Sequence, residues 1–264
     1  MSVSTPSRYN TNLSKAQGMV PETLELLRLW EPGMTAVDLK ALVKETGALD
    51  RATDTRLTDV VTRGFAQRYL VEDGKPAKWL KHLVQSDVNR SVLRQISLIY
   101  TARHNIILHD FITSVYWRKA TSGTGEVTKS DTRDFLERAV LLGHIAPRWA
   151  DSMMERVTRY LLGTLEDFQM IGENRYGRRH ATPPSILGET VLFLAYELHF
   201  RQVEDRDIPR HTDWALFGLM PPAVITLLER EASKDHLQVQ NAGQILRIEW
   251  KYPDMIHALN AIAH

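Results

Sequence analysis

The chain has 264 residues, 43% of them hydrophobic and 25% charged, which suits one large domain or two to three small ones with a substantial core. It contains no cysteine, which excludes disulfide scaffolds, thiolate zinc sites, iron–sulfur clusters and cysteine nucleophiles. With 33 basic and 32 acidic residues the formal net charge is +1, so any affinity for a polyanion has to come from local patches.

Residues 1–18 read as a partly ordered polar arm without the apolar run of a signal peptide. Pro21 suits the first turn of a helix over 21–30, with Leu24, Leu27 and Trp30 on one side. Thr35 followed by Asp38 is a capping-box-like start for a second helix, which Gly47 closes. A third helix runs from about 53 to 70, its inner stripe Leu57, Val61, Gly64 or Phe65, and Tyr69. Helices follow over 76–85, 89–103 and 105–119. The apolar region 92–117 is interrupted by Arg94, Arg103, His104, His109 and Asp110, so it falls short of the roughly 20 uninterrupted apolar residues of a bilayer span. A cytoplasmic protein with no membrane partner is the expectation.

A loop at 122–128 leads to helices over 130–142 and 150–171. The glycines and prolines of 172–184 mark the expected domain boundary. Beyond it come a helix at 185–201, a short one at 213–217, and another at 221–232. Two runs of alternating residues then flank Asn241-Ala242-Gly243, a hairpin signal, before a last helix at 253–262. That order is the order of a winged helix. The expected architecture is mainly α, multi-helical, with an N-terminal helix-turn-helix-like unit (1–86), a central helical region (87–172) and a winged-helix-like domain with one β-hairpin (173–264).

The most enzyme-like cluster is His104, His109 and Asp110, with His82 upstream and Asp131 and Asp134 downstream. Such a series can hold metal ions in phosphohydrolases. On one continuous helix, however, His104 and His109 would point about 140° apart. Ser122-Gly123-Thr124-Gly125 lacks the preceding strand and the lysine of a phosphate-binding loop, and no Gly-x-Ser-x-Gly occurs. The residues read as those of a non-enzyme without cofactor or metal.

Charge is more informative. Residues 51–81 carry seven bases (Arg51, Arg56, Arg63, Arg68, Lys75, Lys78, Lys81) against four acids, and 88–120 carry five against one. Residues 174–180 add Arg175, Arg178 and Arg179 without an acid, whereas 189–213 hold three bases against six acids. The second helix of the helix-turn-helix-like pair presents Thr55, Arg56, Asp59, Thr62, Arg63 and Gln67, groups suited to phosphates and base edges apart from the carboxylate. Helix 221–232 looks built to pack, while the hairpin offers Gln238, Gln240, Asn241, Gln244 and Arg247. The candidate DNA contacts are Arg51, Thr55, Arg56, Thr62, Arg63, Gln67, Lys75, Lys78, Arg175, Arg178, Arg179 and Arg247. A solvated helix face carries similar residues, and winged helices also dock proteins, so a scaffold with a basic face is the alternative.

Ordered landmarks run almost the whole length: residues 9–15 (YNTNLSK), Arg68-Tyr69-Leu70, Leu108-His109-Asp110-Phe111, residues 161–165 (LLGTL) with Asp167-Phe168, and residues 213–217 (DWALF). In their order and spacing the chain resembles the BrxA family of bacterial BREX (bacteriophage exclusion) systems, also described as NusB-like. The resemblance implies a helical, non-catalytic, double-stranded-DNA-binding protein acting beside other BREX proteins, and it carries no catalytic signature onto these positions. A monomer is expected.

Overall fold

The computed structural model describes residues 8–14, 16–50, 52–173, 177–242 and 245–263. Arg51, Arg175 and Gln244 therefore lie outside the described residues.

The first helix, α1 (Val20–Leu29), carries Pro21 in its first turn, where a missing N–H is harmless. The capping box of α2 (Ala36–Thr46) forms as expected: the Thr35 hydroxyl accepts from the Asp38 N–H and the Asp38 carboxylate accepts from the Thr35 N–H. Gly47 ends the helix at φ 66°, a left-handed conformation that a side chain disfavours. The third helix starts at its Thr53 cap as α3 (Asp54–Leu57), widens to π-helical turns over Thr58–Phe65, and finishes as α4 (Ala66–Tyr69). The buried pairs Val60–Val61, Gly64–Phe65 and Arg68–Tyr69 repeat every four residues. At 3.6 residues per turn that stripe would drift about 40° each turn, and wider turns hold it against the core.

Two helices are buried nearly all round: α6 (Arg90–His104) and α11 (Gly188–Phe200). α11 is apolar on nearly every side, which places it at the centre of the core, while α6 keeps a polar edge at Arg90 and Arg94. They pack on each other there, with α5 (Lys75–Gln85) beside α6. This is the physical reason for the apolar region that begins at Val92, and no helix among the described residues is long and apolar enough to cross a membrane. Asn105 (φ −120°, ψ 83°) breaks the chain after α6, so His104 and His109 lie on different helices and the single-helix arithmetic does not apply to them. The expected helix 105–119 is α7 (Ile106–Phe111), π-helical turns over Ile112–Tyr116, and α8 (Trp117–Ala120). A second capping box, Thr128 with Asp131, opens α9 (Lys129–Leu141), and α10 (Asp151–Asp167) packs along it.

Two short strands flank the expected boundary, β1 (Ile171–Glu173) and β2 (Arg179–Ala181), paired antiparallel with Ile171 opposite Ala181. Glu126 bridges to His180, so the loop after α8 folds onto this hairpin. One contiguous apolar core runs across this boundary, from Tyr9 to Ile262.

The last part repeats the expected order. After α11 come 3₁₀ turns at Ile208–Arg210 and Thr212–Phe217, then α12 (Pro221–Ala232), the hairpin β3 (Leu237–Ala242) and β4 (Ile245–Trp250), and α13 (Met255–Ile262). Asp205 ties the hairpin down, accepting from the Ile248 N–H at 2.8 Å and the Trp250 indole at 3.1 Å. A buried ionic cluster anchors this unit to the centre. Arg103 of α6 donates to both oxygens of Glu197 on α11, at 2.7 and 2.8 Å, and through Nε to Asp213 at 2.8 Å. Glu197 also accepts from the Tyr100 hydroxyl at 2.8 Å.

Candidate nucleic-acid interface

The helix-turn-helix-like pair is α2, the turn through Gly47, and the helix beginning at α3. Lys40 of α2 fixes the angle between them, donating to Asp54 at 3.0 Å and to the Thr58 hydroxyl at 2.8 Å. That contact holds the Asp54 carboxyl below its ordinary range. Inward packing of Leu57, Val60, Val61 and Phe65 turns Thr55, Arg56, Arg63 and Gln67 to solvent, with Thr62 half-buried.

Carboxylates, however, accompany the arginines. Arg63 pairs with Asp59 at 2.7 Å and Arg56 with Glu22 of α1 at 3.3 Å. Arg56 and Asp59 also line a cleft of about 590 Å³, with Tyr160 and Asp167 of α10 on its other side. Burial, with Glu22 and Glu166 nearby, raises the Asp167 carboxyl above its usual range despite the N–H of Gly18. The inner edge of this helix face is therefore acidic, and its open side is where Thr55, Arg63 and Gln67 stand.

The other candidates are dispersed. Lys75 and Lys78 are exposed at the start of α5, with no ion pair among the described residues. Arg179 on β2 pairs with Glu166 at 2.5 Å, and Arg178 lies 3.9 Å from Glu126. The acid-free run of the sequence thus has acids beside it in space. Arg247 is exposed on β4 opposite Gln240, next to Gln238 opposite Glu249, which gives the hairpin a polar outer face. Two of the bases in the 51–81 run are interior: Arg68 caps the carbonyls of Ala16 and Gln17 at 2.5 and 2.7 Å, and Lys81 bonds the Trp30 carbonyl at 2.6 Å. Arg103 is consumed by the buried cluster. Local charge counts on the sequence overstate the basic surface for that reason. No group of three or more His, Asp or Glu among the described residues is arranged to hold a metal ion.

Most of the landmark residues share one structural task, holding Tyr9 and residues 16–18 against the body of the fold. The Tyr9 hydroxyl donates to Asp110 at 2.7 Å, and Arg68 grips the carbonyls of residues 16–18. The Gly18 N–H donates to Asp167 at 2.9 Å, and a Cβ on Gly18 would lie 2.4 Å from that of Asp167. Leu161, Leu162 and Leu165 fill the core beneath, and Asp213 and Trp214 are buried against Arg103 and Ile208. The sequence profile of the BrxA family matches residues 7–197, well over half of the chain. The chain belongs to the BrxA family. Membership makes it a BREX-associated phage-defence protein. The BrxA match ends inside α11, ahead of α12 and the β3–β4 hairpin. No curated protein matches the chain. A crystal structure of an uncharacterized protein from Magnetospirillum magneticum is similar at 17% identity and TM-score 0.60, covering 80% of this chain and 98% of that one. At that identity the likeness bears on the fold alone.

Proposed function

We propose that this BrxA protein is a non-catalytic component that binds double-stranded DNA within a BREX system, chiefly through phosphates. The observation that carries this reading is the capped α2–Gly47–α3 turn, which leaves Thr55, Arg56, Arg63 and Gln67 solvent-exposed on one helix. Exposed ion pairs are worth only about 0–1 kcal/mol, so a phosphate can take Arg63 from Asp59. The polar hairpin face with Arg247 supports a second contact of wing type. Asp59 and Glu22 stay beside the arginines, and few side chains here can make paired contacts to base edges, so binding is weak, insensitive to sequence and steeply dependent on salt.

A docking scaffold is the second reading, favoured by one feature. An apolar groove of about 640 Å³ lies along α12, between Leu227 and the aromatic rings of Trp117 and Phe217. A gel shift of the purified protein on random duplex at low salt separates the two readings. A shift that salt abolishes supports DNA binding, and no shift favours the scaffold.

A further inference from the structure

A cleft of about 330 Å³ opens between α9 and the helix running from α7 into α8. Its size is within the range of small-ligand pockets, and none of its lining residues belongs to the proposed DNA contacts. Phe135 and Val115 give it an apolar floor, and the Ser114 side chain is exposed at its edge. Beneath, Phe135 stacks on Tyr9 at 6.0 Å and meets Phe111 edge-on at 5.3 Å, so the floor is braced.

The charges around this floor are unequal in availability. Asp110 is engaged by the Tyr9 hydroxyl at 2.7 Å and by Arg8 at 2.9 Å. Asp131 is engaged by Lys119 at 2.6 Å and by its Thr128 capping hydroxyl at 2.7 Å. Arg118 and Arg138, on opposite walls, have no carboxylate within ion-pair distance among the described residues, and neither does Asp134 have a cation. With Asp110 and Asp131 neutralised by Arg8 and Lys119, two unpaired guanidinium forks face one unpaired carboxylate above an aromatic floor. Guanidinium groups recognise phosphate oxygens in paired contacts, and an aromatic floor recognises a ring.

We infer that this cleft binds a small ring-bearing phosphomonoester, its phosphoryl group between Arg118 and Arg138 and its ring over Phe135. A free nucleoside monophosphate, or a molecule of phenyl phosphate type, presents that chemistry. Calorimetric titration with adenosine 5′-monophosphate, phenyl phosphate, inorganic phosphate and benzylamine tests it. At least one ring-bearing phosphate should bind about tenfold or more tighter than inorganic phosphate or benzylamine, a difference of about 1.4 kcal/mol. The stronger of the two distinguishes a nucleotide source from a simpler aryl phosphate. Arg118→Ala and Arg138→Ala should each weaken it about tenfold, and Asp134→Asn should tighten it. All three side chains are exposed, and circular dichroism melts verify that the variants fold; should either alanine variant unfold, Arg138→Glu carries the comparison. Absence of binding by both ring-bearing phosphates overturns the inference, as does equal affinity in the arginine variants. Loss of duplex DNA binding in those variants, with no small-phosphate binding by the parent protein, would assign the arginines to DNA and likewise overturn it.

Discussion

Replacing Arg103 with alanine tests how the C-terminal unit is joined to the centre of the molecule. The side chain of Glu197 is wholly buried and that of Asp213 is 3% exposed, while Arg103 itself is 21% exposed. Removing the guanidinium strands two carboxylates in the interior, where breaking a buried pair from one side costs about 3–5 kcal/mol. Glu197 keeps the Tyr100 hydroxyl and Arg201, and Asp213 keeps His211, so the lower half of that range is expected. For a chain of this size each kcal/mol moves the melting midpoint by about 2–4 °C, which predicts a drop of about 6–16 °C. The loss should shrink as pH falls towards 5, because without Arg103 the burial that raises the Asp213 carboxyl is opposed by His211 alone and the group takes up a proton more readily. Thermal melts at pH 7 and pH 5 read both effects. A loss below about 1 kcal/mol would mean that the cluster behaves like an exposed ion pair, and the anchoring argument would fail.

Gly47→Ala forces a side chain into the left-handed region at φ 66° with open space around it, so a purely conformational loss of about 1–2 kcal/mol is expected in urea unfolding. Burial raises the Asp213 carboxyl, but hydrogen bonds from His211 and Arg103 outweigh it and hold the group below its ordinary range. The stability this gives is present above about pH 4 and fades as pH falls through the lower folded value, so wild type and Asp213→Asn should converge in unfolding experiments below that pH. Asp59→Asn frees Arg63 and removes a carboxylate from the proposed DNA face. Duplex affinity should rise about two- to fivefold in a fluorescence-anisotropy titration at low salt, and a fall would contradict the phosphate-contact reading.

Much of the fold is legible in the sequence because its signals are local. The Thr35–Asp38 box, the Gly47 terminator and the hairpin around Asn241 each follow from a few neighbouring residues, and all form. The π-helical turns are not legible, since a four-residue stripe of buried pairs looks like an ordinary amphipathic helix until a neighbouring surface fixes its direction. Strands β1 and β2 are hidden in a stretch whose glycines and prolines read as a break, and β2 also bridges to the distant loop at Glu126. For the candidate site the sequence identifies which side chains of the third helix face outward. It does not show that Glu22, from another helix, meets Arg56, nor that Arg68 and Lys81 are buried and Arg103 is taken up by Glu197 and Asp213. Charge partners are set by tertiary contact, and a count along the chain does not assign them. Arg118 and Arg138 escape a sequence reading for the same reason, being 20 residues apart along the chain yet lining one cleft.

The central claim is that duplex DNA is held by phosphate contacts from the third helix, and the salt dependence of binding measures it most directly. Affinity for random duplex, plotted as log K against log salt, should fall steeply for the parent protein. Arg56→Ala combined with Arg63→Ala should reduce the slope by about 2 and weaken every sequence alike, about 1 for each phosphate left without its arginine. Arg178→Ala with Arg179→Ala serves as the comparison on the β1–β2 hairpin. An unchanged slope in the first pair, with binding abolished in the second, would contradict the assignment to the third helix. A rise of orders of magnitude on one particular sequence would contradict binding through phosphates alone.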